Sequence, residues 1–511
     1  MPGSSTATSP SPLRPAPAKE ATPLPATFAL HEDPSTVEID DGSVILGGSP
    51  LRLFRVTPRG RDLVARWRDG AIVGKAEPAR RLARRFVSAG IFAPEPRGAH
   101  VQPDDVTVVI PVRNRPAQLA RVLEALVGLS CIVVDDASAD PGASKTIAER
   151  NGARFVGLAT NAGPSVARNA GLALVTTALV AFVDSDCVPQ PGWLGLLLGH
   201  FEDPLVAAVA PRIVSARERP SALAEYEALR PTLDQGVVAG LVRRGTRISY
   251  VPSATLLVRT GLATGPDLFD PSLRGGEDVD LVWRLTEAGW DVRYAPASVV
   301  AHDGPPDVGS FLARRAFYGS TAAPLARRHP GAVPPAEVSG WSLAVWALAA
   351  AGRPTLALVA LEGSIAVLAE RLTGLVRDPV AVASRIAGGG TARSALPALG
   401  GLARAWSPAL VLSLASRRTR RTAALALLLP ALSDWATAQA QSEGLGPIRY
   451  CAFHVLDDIA YGAGVWLGCV RERVVGPLVP RVVWRSRTWS SITLRQALGN
   501  RPPTEHSTGS A

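Results

Sequence analysis

Residues 179–186, Leu-Val-Ala-Phe-Val-Asp-Ser-Asp, constrain this chain more than any other stretch. Five apolar residues rich in strand formers, too short for a helix, run directly into two carboxylates one residue apart. A buried parallel strand reads this way, and in an open α/β sheet ligands gather at the carboxyl ends of such strands. Asp184 and Asp186 would leave the core there, free to hold a hard divalent ion. Mg2+ and Mn2+ favour oxygen ligands and share them with substrate phosphates. An Asp-x-Asp by itself also describes a solvated turn, so its surroundings decide.

Those surroundings repeat the pattern. Val106 to Val112 reads as a strand whose end carries Pro111, Arg113 and Asn114, and a helical face (Leu119, Val122, Leu123, Leu126) follows from Pro116 to Val127. Cys131-Ile-Val-Val-Asp-Asp is a second strand, ending in Asp135 and Asp136. Ala153 to Leu158 is a third, leading to Asn161-Ala-Gly-Pro-Ser-Val-Ala-Arg-Asn and another helix. Strand–helix alternation of this kind predicts a mainly parallel, doubly wound α/β sheet with right-handed crossovers. A structural sheet has no need to end several strands in acids and arginines. A nucleotide site does.

Further on, Tyr250-Val-Pro-Ser-Ala-Thr-Leu-Leu-Val-Arg reads as an apolar strand with small residues at its middle, suited to an acceptor lying close. Glu277 and Asp278 begin the helix that runs to Ala288. Acids there stabilise a helix through its dipole, but a carboxylate in a cleft can equally take the proton of an attacking hydroxyl. His302 closes the next strand, where it is either structural or within reach of a metal or diphosphate.

Taken together, Val109-Ile-Pro-Val-Arg-Asn, Val133-Val-Asp-Asp-Ala-Ser, Asn161 to Asn169, Phe182-Val-Asp-Ser-Asp and Gly275-Gly-Glu-Asp-Val-Asp make residues 104–330 similar to the family 2 glycosyltransferases of GT-A fold. The resemblance implies an inverting transferase with a UDP-sugar donor and Mn2+ or Mg2+ as cofactor. It puts Pro111, Arg113 and Asp136, with Asp135 beside them, on the uridine, and Arg168 on the uracil or diphosphate side. Asp184 would face the ribose and metal, Asp186 would ligate the metal with His302, and Asp278 would be the base, shaped by Glu277. The Gln-x-x-Arg-Trp motif of processive members is absent; Arg314-Arg-Ala-Phe-Tyr stands instead.

The remaining segments flank this domain. Residues 1–27 are Pro-, Ala-, Ser- and Thr-rich and read as disordered, as do 491–511. Residues 28–98 combine alternating strands with two short helices, the first opened by Thr57-Pro58. They resemble winged-helix-like peptide-recognition modules, though a small domain that merely packs on its neighbour reads the same. Residues 331–490 are apolar and arginine-rich. No charge-free run there reaches the roughly 18 residues of a spanning helix; helices lying on an anionic membrane surface, with Arg417, Arg418, Arg420 and Arg421 toward lipid, or a soluble bundle, both fit.

The net charge is +10, and almost every cation is arginine, scattered without stacking aromatics, so no nucleic-acid partner is expected. Four cysteines form no metal spacing and the N-terminus lacks a signal-peptide pattern, so a cytoplasmic enzyme on the inner face of the cell membrane is expected. The order of parts, with Tyr318-Gly-Ser-Thr-Ala-Ala-Pro-Leu-Ala-Arg-Arg-His-Pro, is similar to the glycosyltransferases of the mycofactocin system. That resemblance implies UDP-glucose as donor, a peptide-derived redox cofactor as acceptor and a β-linked oligoglucoside as product. Two alternatives stand beside it: a transferase acting on a cell-wall or lipid-linked glycan, and a non-catalytic peptide-binding scaffold.

Overall fold

The computed structural model describes residues 10–98, 101–216, 221–439 and 444–484, together with the strand at 492–493. Its centre is one sheet in the order Cys187–Pro189, Asp291–His302, Val206–Ser215, Thr255–Arg259, Leu179–Val183, Val106–Val112, Ser130–Asp135, Arg154–Gly157, with Gly240–Val242 pairing on Asp291–His302. From Leu179–Val183 to Arg154–Gly157 every pairing is parallel. Beyond that edge the sheet is mixed, because Thr255–Arg259 slots between two strands and runs against both.

Period-2 side-chain alternation between two covered faces explains why Val106–Val112 is apolar apart from Thr107, whose hydroxyl meets that of Thr177 at 2.9 Å. Val106, Val108, Ile110 and Val112 join Leu119, Val122 and Leu123 of the helix Pro116–Ala125 in one core. Val109 points the other way, toward Phe182, Leu281 and Trp283. With both faces covered, the polar residues can emerge only at the strand ends.

The N-terminal module forms around Phe28, Phe54, Trp67, Phe86 and Phe92. The Thr57 side chain caps the helix Pro58–Arg68 by accepting from the Gly60 N–H at 3.2 Å. A second helix, Glu77–Ala89, carries Arg84 into the boundary with the catalytic domain. There Arg84 grips the fully buried Asp203 with two hydrogen bonds, at 2.8 and 2.6 Å, and Arg293 adds a third contact to the same carboxylate.

Residues 10–27 depart from the expected disorder. Ser11 and Arg14 donate backbone hydrogen bonds to Asp267 and Leu262 (3.1 and 2.8 Å), Trp290 donates to the Arg14 carbonyl (2.8 Å), and Lys19 pairs with Asp291 (2.6 Å). Leu24 is fully buried. The prolines that suggested a coil lower the entropy this strap loses on ordering, and Leu13, Ala16 and Leu24 supply the burial. Residues 1–9 lie outside the described residues, as does the expected 491–511 tail apart from Ile492–Thr493, which pairs in parallel with Arg52–Arg55.

The C-terminal region is helical: Gly340–Ala350, Pro354–Leu372, Pro379–Ala383, Gly389–Ser413, Arg420–Gln439 and Pro447–Glu472. The last helix packs backbone to backbone on Val308–Ser320. A Cβ on Gly464 would stand 1.9 Å from the Ala316 carbonyl oxygen, and one on Gly319 would stand 2.0 Å from that of Tyr461. Gly464→Leu is therefore expected to cost about 1–3 kcal/mol or more by overpacking and to depress turnover as well, since this helix also lines the cleft. Unchanged melting and turnover would contradict that packing. Among the described residues, Pro379–Ser413, 35 residues long, is the one helical stretch long and apolar enough to cross a membrane.

Candidate active site

The polar strand ends open into one cleft of about 1160 Å³. Pro111, Arg113, Asp136, Arg168, Asp184, Asp186, Glu277, Asp278 and His302 all line it. Asp135 does not. It lies beneath, 1% exposed, accepting from the Ser138 N–H at 2.8 Å and so shaping the turn after its strand.

On the nucleotide side, Asp136 accepts from the backbone N–H groups of Ala162 and Gly163 (2.7 and 2.9 Å), which ties the second strand to the loop opening the helix Pro164–Leu172. Asn161, with its amide nitrogen turned to Asp136, accepts from Arg113 at 2.9 Å. The helix carries Arg168, only 3% exposed, across the cleft. Its guanidinium donates to Asp184 at 2.6 Å and to Glu277 at 2.8 Å, and stands 5.4 Å from the Phe269 ring centre. One buried cation thus bridges the Asp-x-Asp edge and the Glu-Asp helix start.

The two acids of the Asp-x-Asp segment are held differently. Burial lifts the Asp184 carboxyl above its ordinary value despite Arg168. Burial acts upward on Asp186 too, but His302 and Arg115 outweigh it and hold this carboxyl low. Arg115 pairs with Asp186 directly, and His302 Nε2 stands 3.8 Å from the same oxygen. Burial also lowers the His302 value, against the pull of Asp186, which favours the neutral imidazole that a metal needs. Among the described residues no three His, Cys, Asp or Glu side chains stand close enough to hold an ion by themselves. The donor chemistry nevertheless fits a Mg2+- or Mn2+-type ion: two carboxylates and a neutral imidazole at one cleft edge, with the other positions left to phosphate oxygens and water.

Across the cleft, Asp278 accepts from the Ser253 N–H at 3.2 Å and from the Val279 N–H at 2.8 Å. Burial, reinforced by the neighbouring Glu277 charge, pushes its carboxyl up to about 7. Tyr250 beside it is pushed up to about 12, by burial first and then by Asp278.

The apolar C-terminal region supplies residues the sequence did not single out. Arg404 of Gly389–Ser413 reaches the cleft, contacts Asp457 and Asp458 at 3.2 and 3.4 Å, and lies 4.1 Å over the Tyr461 ring. Asp457 also accepts from Tyr226 (3.1 Å) and pairs with Arg315 (3.3 Å). These partners sit on separate helices, Arg404 53 and Tyr226 231 positions from Asp457, so no local motif announces them. The one available signal was an aspartate pair in the middle of the apolar helix Pro447–Glu472. Arg314 also lines the cleft; among the described residues its side chain makes no hydrogen bond or ion pair.

A curled mixed sheet whose strand ends gather acids and a bridging arginine around one cleft, facing a second acid pair at a helix start, is the architecture of a GT-A glycosyltransferase. The family profiles and the sequence relatives agree. The profile of glycosyl transferase family 2 matches residues 107–235, and that of glycosyl transferase family group 2 matches residues 179–436. The chain is 42% identical over 476 residues, covering 90% of it and 99% of the relative, to a pre-mycofactocin glycosyltransferase of Mycobacterium tuberculosis. It is 29% identical over 200 residues, 37% of this chain and 58% of the relative, to the succinoglycan biosynthesis protein ExoU of Rhizobium meliloti. A solved mannosyltransferase of Pyrobaculum calidifontis, in complex with GDP-mannose and Mn2+, superposes with a TM-score of 0.37 at 18% identity, covering 73% of this chain and 90% of that one. The chain belongs to the family 2 glycosyltransferases and is an enzyme of that family.

Proposed function

We propose that this glycosyltransferase moves glucose from UDP-glucose to a mycofactocin precursor with inversion, adding β-linked units, on the inner face of the cell membrane. The observation that carries the reading is Asp278: a carboxyl with its value raised to about 7, in the same cleft as the Asp184–Asp186 edge and linked to it through Glu277 and Arg168. A group of that strength, free to take a hydroxyl proton near neutral pH, is what a single displacement needs of its base. The near full-length likeness to the pre-mycofactocin glycosyltransferase supports the acceptor.

In this reading Pro111, Arg113 and Asp136 receive the uridine, while Arg168 and the unpaired Arg314 face the diphosphate. Asp186, His302 and Asp184 would hold Mn2+ or Mg2+, which when bound neutralises charge on the departing diphosphate. Arg115 keeps Asp186 ionised and in place. Asp278 accepts the proton of the acceptor hydroxyl as it attacks the anomeric carbon, and Glu277, fixed by Arg168, holds the start of that helix in register. The N-terminal module, mounted rigidly through Arg84 and Asp203, would read the peptide-derived part of the acceptor.

The test is UDP release from a panel of UDP-sugars, with and without Mn2+, for the wild type and Asp186→Ala. Release is expected from UDP-glucose, dependent on the divalent ion and at least about a hundredfold lower in the variant, the size of effect that misplacing reacting groups produces. Release from another UDP-sugar alone would replace the donor. Equal release by the variant would remove Asp186 from the metal site.

A further inference from the structure

The helix Gly389–Ser413 turns Arg404 toward the cleft, and the hairpin it forms with Arg420–Gln439 leaves an outer side bare. Near its turn, Val411, Leu412, Leu414, Leu425, Leu428 and Leu429 are exposed, Leu412 by 77% and Leu425 by 56%. Between Asp378 and Asp434 the chain has seven arginines and no acid. Four of them, Arg417, Arg418, Arg420 and Arg421, stand exposed at the turn beside these leucines. Among the described residues none of the four side chains meets a carboxylate.

Bare leucines alone do not identify what covers them. Unpaired guanidiniums at the same tip do: the occupant must offer anionic groups directly above an apolar layer. A second copy fits poorly, because each chain carries a net charge of +10 and would bring arginine to arginine. We propose that this tip seats in a bilayer containing anionic lipid, its leucines at the acyl boundary and its arginines on the lipid phosphates. The helix lies on the membrane and does not cross it. Arg404, in the body of Pro379–Ser413, is bound to Asp457 and Asp458 at the cleft, where no bilayer can reach.

This deepens the membrane placement in the proposed function and is independent of donor and acceptor. The test is sedimentation of the full chain with vesicles of phosphatidylcholine alone or mixed with phosphatidylglycerol. The wild type is expected to pellet with the anionic vesicles only, and less as salt rises. Reversing the four arginines together, R417E/R418E/R420E/R421E, is expected to weaken binding about tenfold or more, and L412E/L425E to abolish it even at low salt. None of these residues lines the cleft, so UDP-sugar turnover should persist in both variants. Wild-type protein left in the supernatant with both vesicles, or a charge-reversed variant that pellets like the wild type, overturns the proposal. So does a stable dimer, dissociated by L412E, that ignores vesicles; that result assigns the face to a second copy. A wild type that binds anionic vesicles but releases no UDP would overturn the glycosyl-transfer reading and leave this one standing.

Discussion

Asp278→Asn is expected to lower the turnover number about 10²–10⁴-fold, the contribution of a positioned general base, while leaving UDP-sugar binding close to wild type. Asparagine keeps the size of the side chain and can still accept from Ser253 N–H, so the site should survive without its base. The pH profile supplies the second signature. Only ionised Asp278 can take the proton, so wild-type turnover should rise with pH and level off above about 7. Burial and the Glu277 charge set that value high, against the N–H groups of Val279 and Ser253 and the Arg168 charge, which pull it down. Stability should move the opposite way. The folded value lies above the ordinary 3.8, so the protonated form favours the fold. That stabilisation is full below the ordinary value and is lost as pH climbs to about 7. Asn, neutral throughout, escapes the loss: above pH 7 the inactive variant should melt higher than the wild type. A variant that melts lower and keeps its activity would show Asp278 to be structural.

The second large effect is expected at Asp203, far from any chemistry. Its carboxylate is fully buried and takes three contacts from Arg84 and Arg293, which are themselves 3% and 2% exposed. Asp203→Ala leaves two buried guanidiniums sharing only Asp291, which stands 3.5 Å from Arg84 and is already held by Lys19. Breaking a buried pair in this way costs about 3–5 kcal/mol, more than most core truncations of a methyl group or two. Denaturant unfolding should shift accordingly, and limited proteolysis should release the N-terminal module faster as it loses its mount. An unshifted unfolding midpoint would mean that the remaining contacts, such as Arg247 with Asp33 (3.0 Å), suffice to join the two parts.

What could be read from the sequence divides by range. The Asp-x-Asp edge, the acid pair at 277–278 and the strands leading to them were legible, because each is a local pattern in which an apolar run of period 2 stops at a polar residue. Their convergence in one cleft followed from the strand–helix alternation. The parallel half of the sheet was legible for the same reason; the reversed strand Thr255–Arg259 was not, since direction is set by pairing between distant segments. Arg115 escaped notice because its partner Asp186 is 71 positions away. Arg404, Asp457 and Tyr461 escaped because their apolar setting read as a membrane or bundle surface, when one side of it closes the cleft. Residues 10–27 misled through composition: proline suggests a coil in isolation, yet a stiff segment is cheap to pin wherever a few leucines and alanines find a groove.

That pinned segment bears on how such a protein can change over generations. Lys19 holds Asp291, Arg84 holds Asp203, and Asp457 holds Arg315, so the catalytic domain is gripped by parts encoded on both sides of it. A recombination event that exchanged one end of the gene for a relative's would have to carry matching partners in the catalytic domain or leave a charge stranded inside. The three parts are therefore bound to be inherited together, and new specificities should arise by point substitution within the cleft sooner than by shuffling of modules.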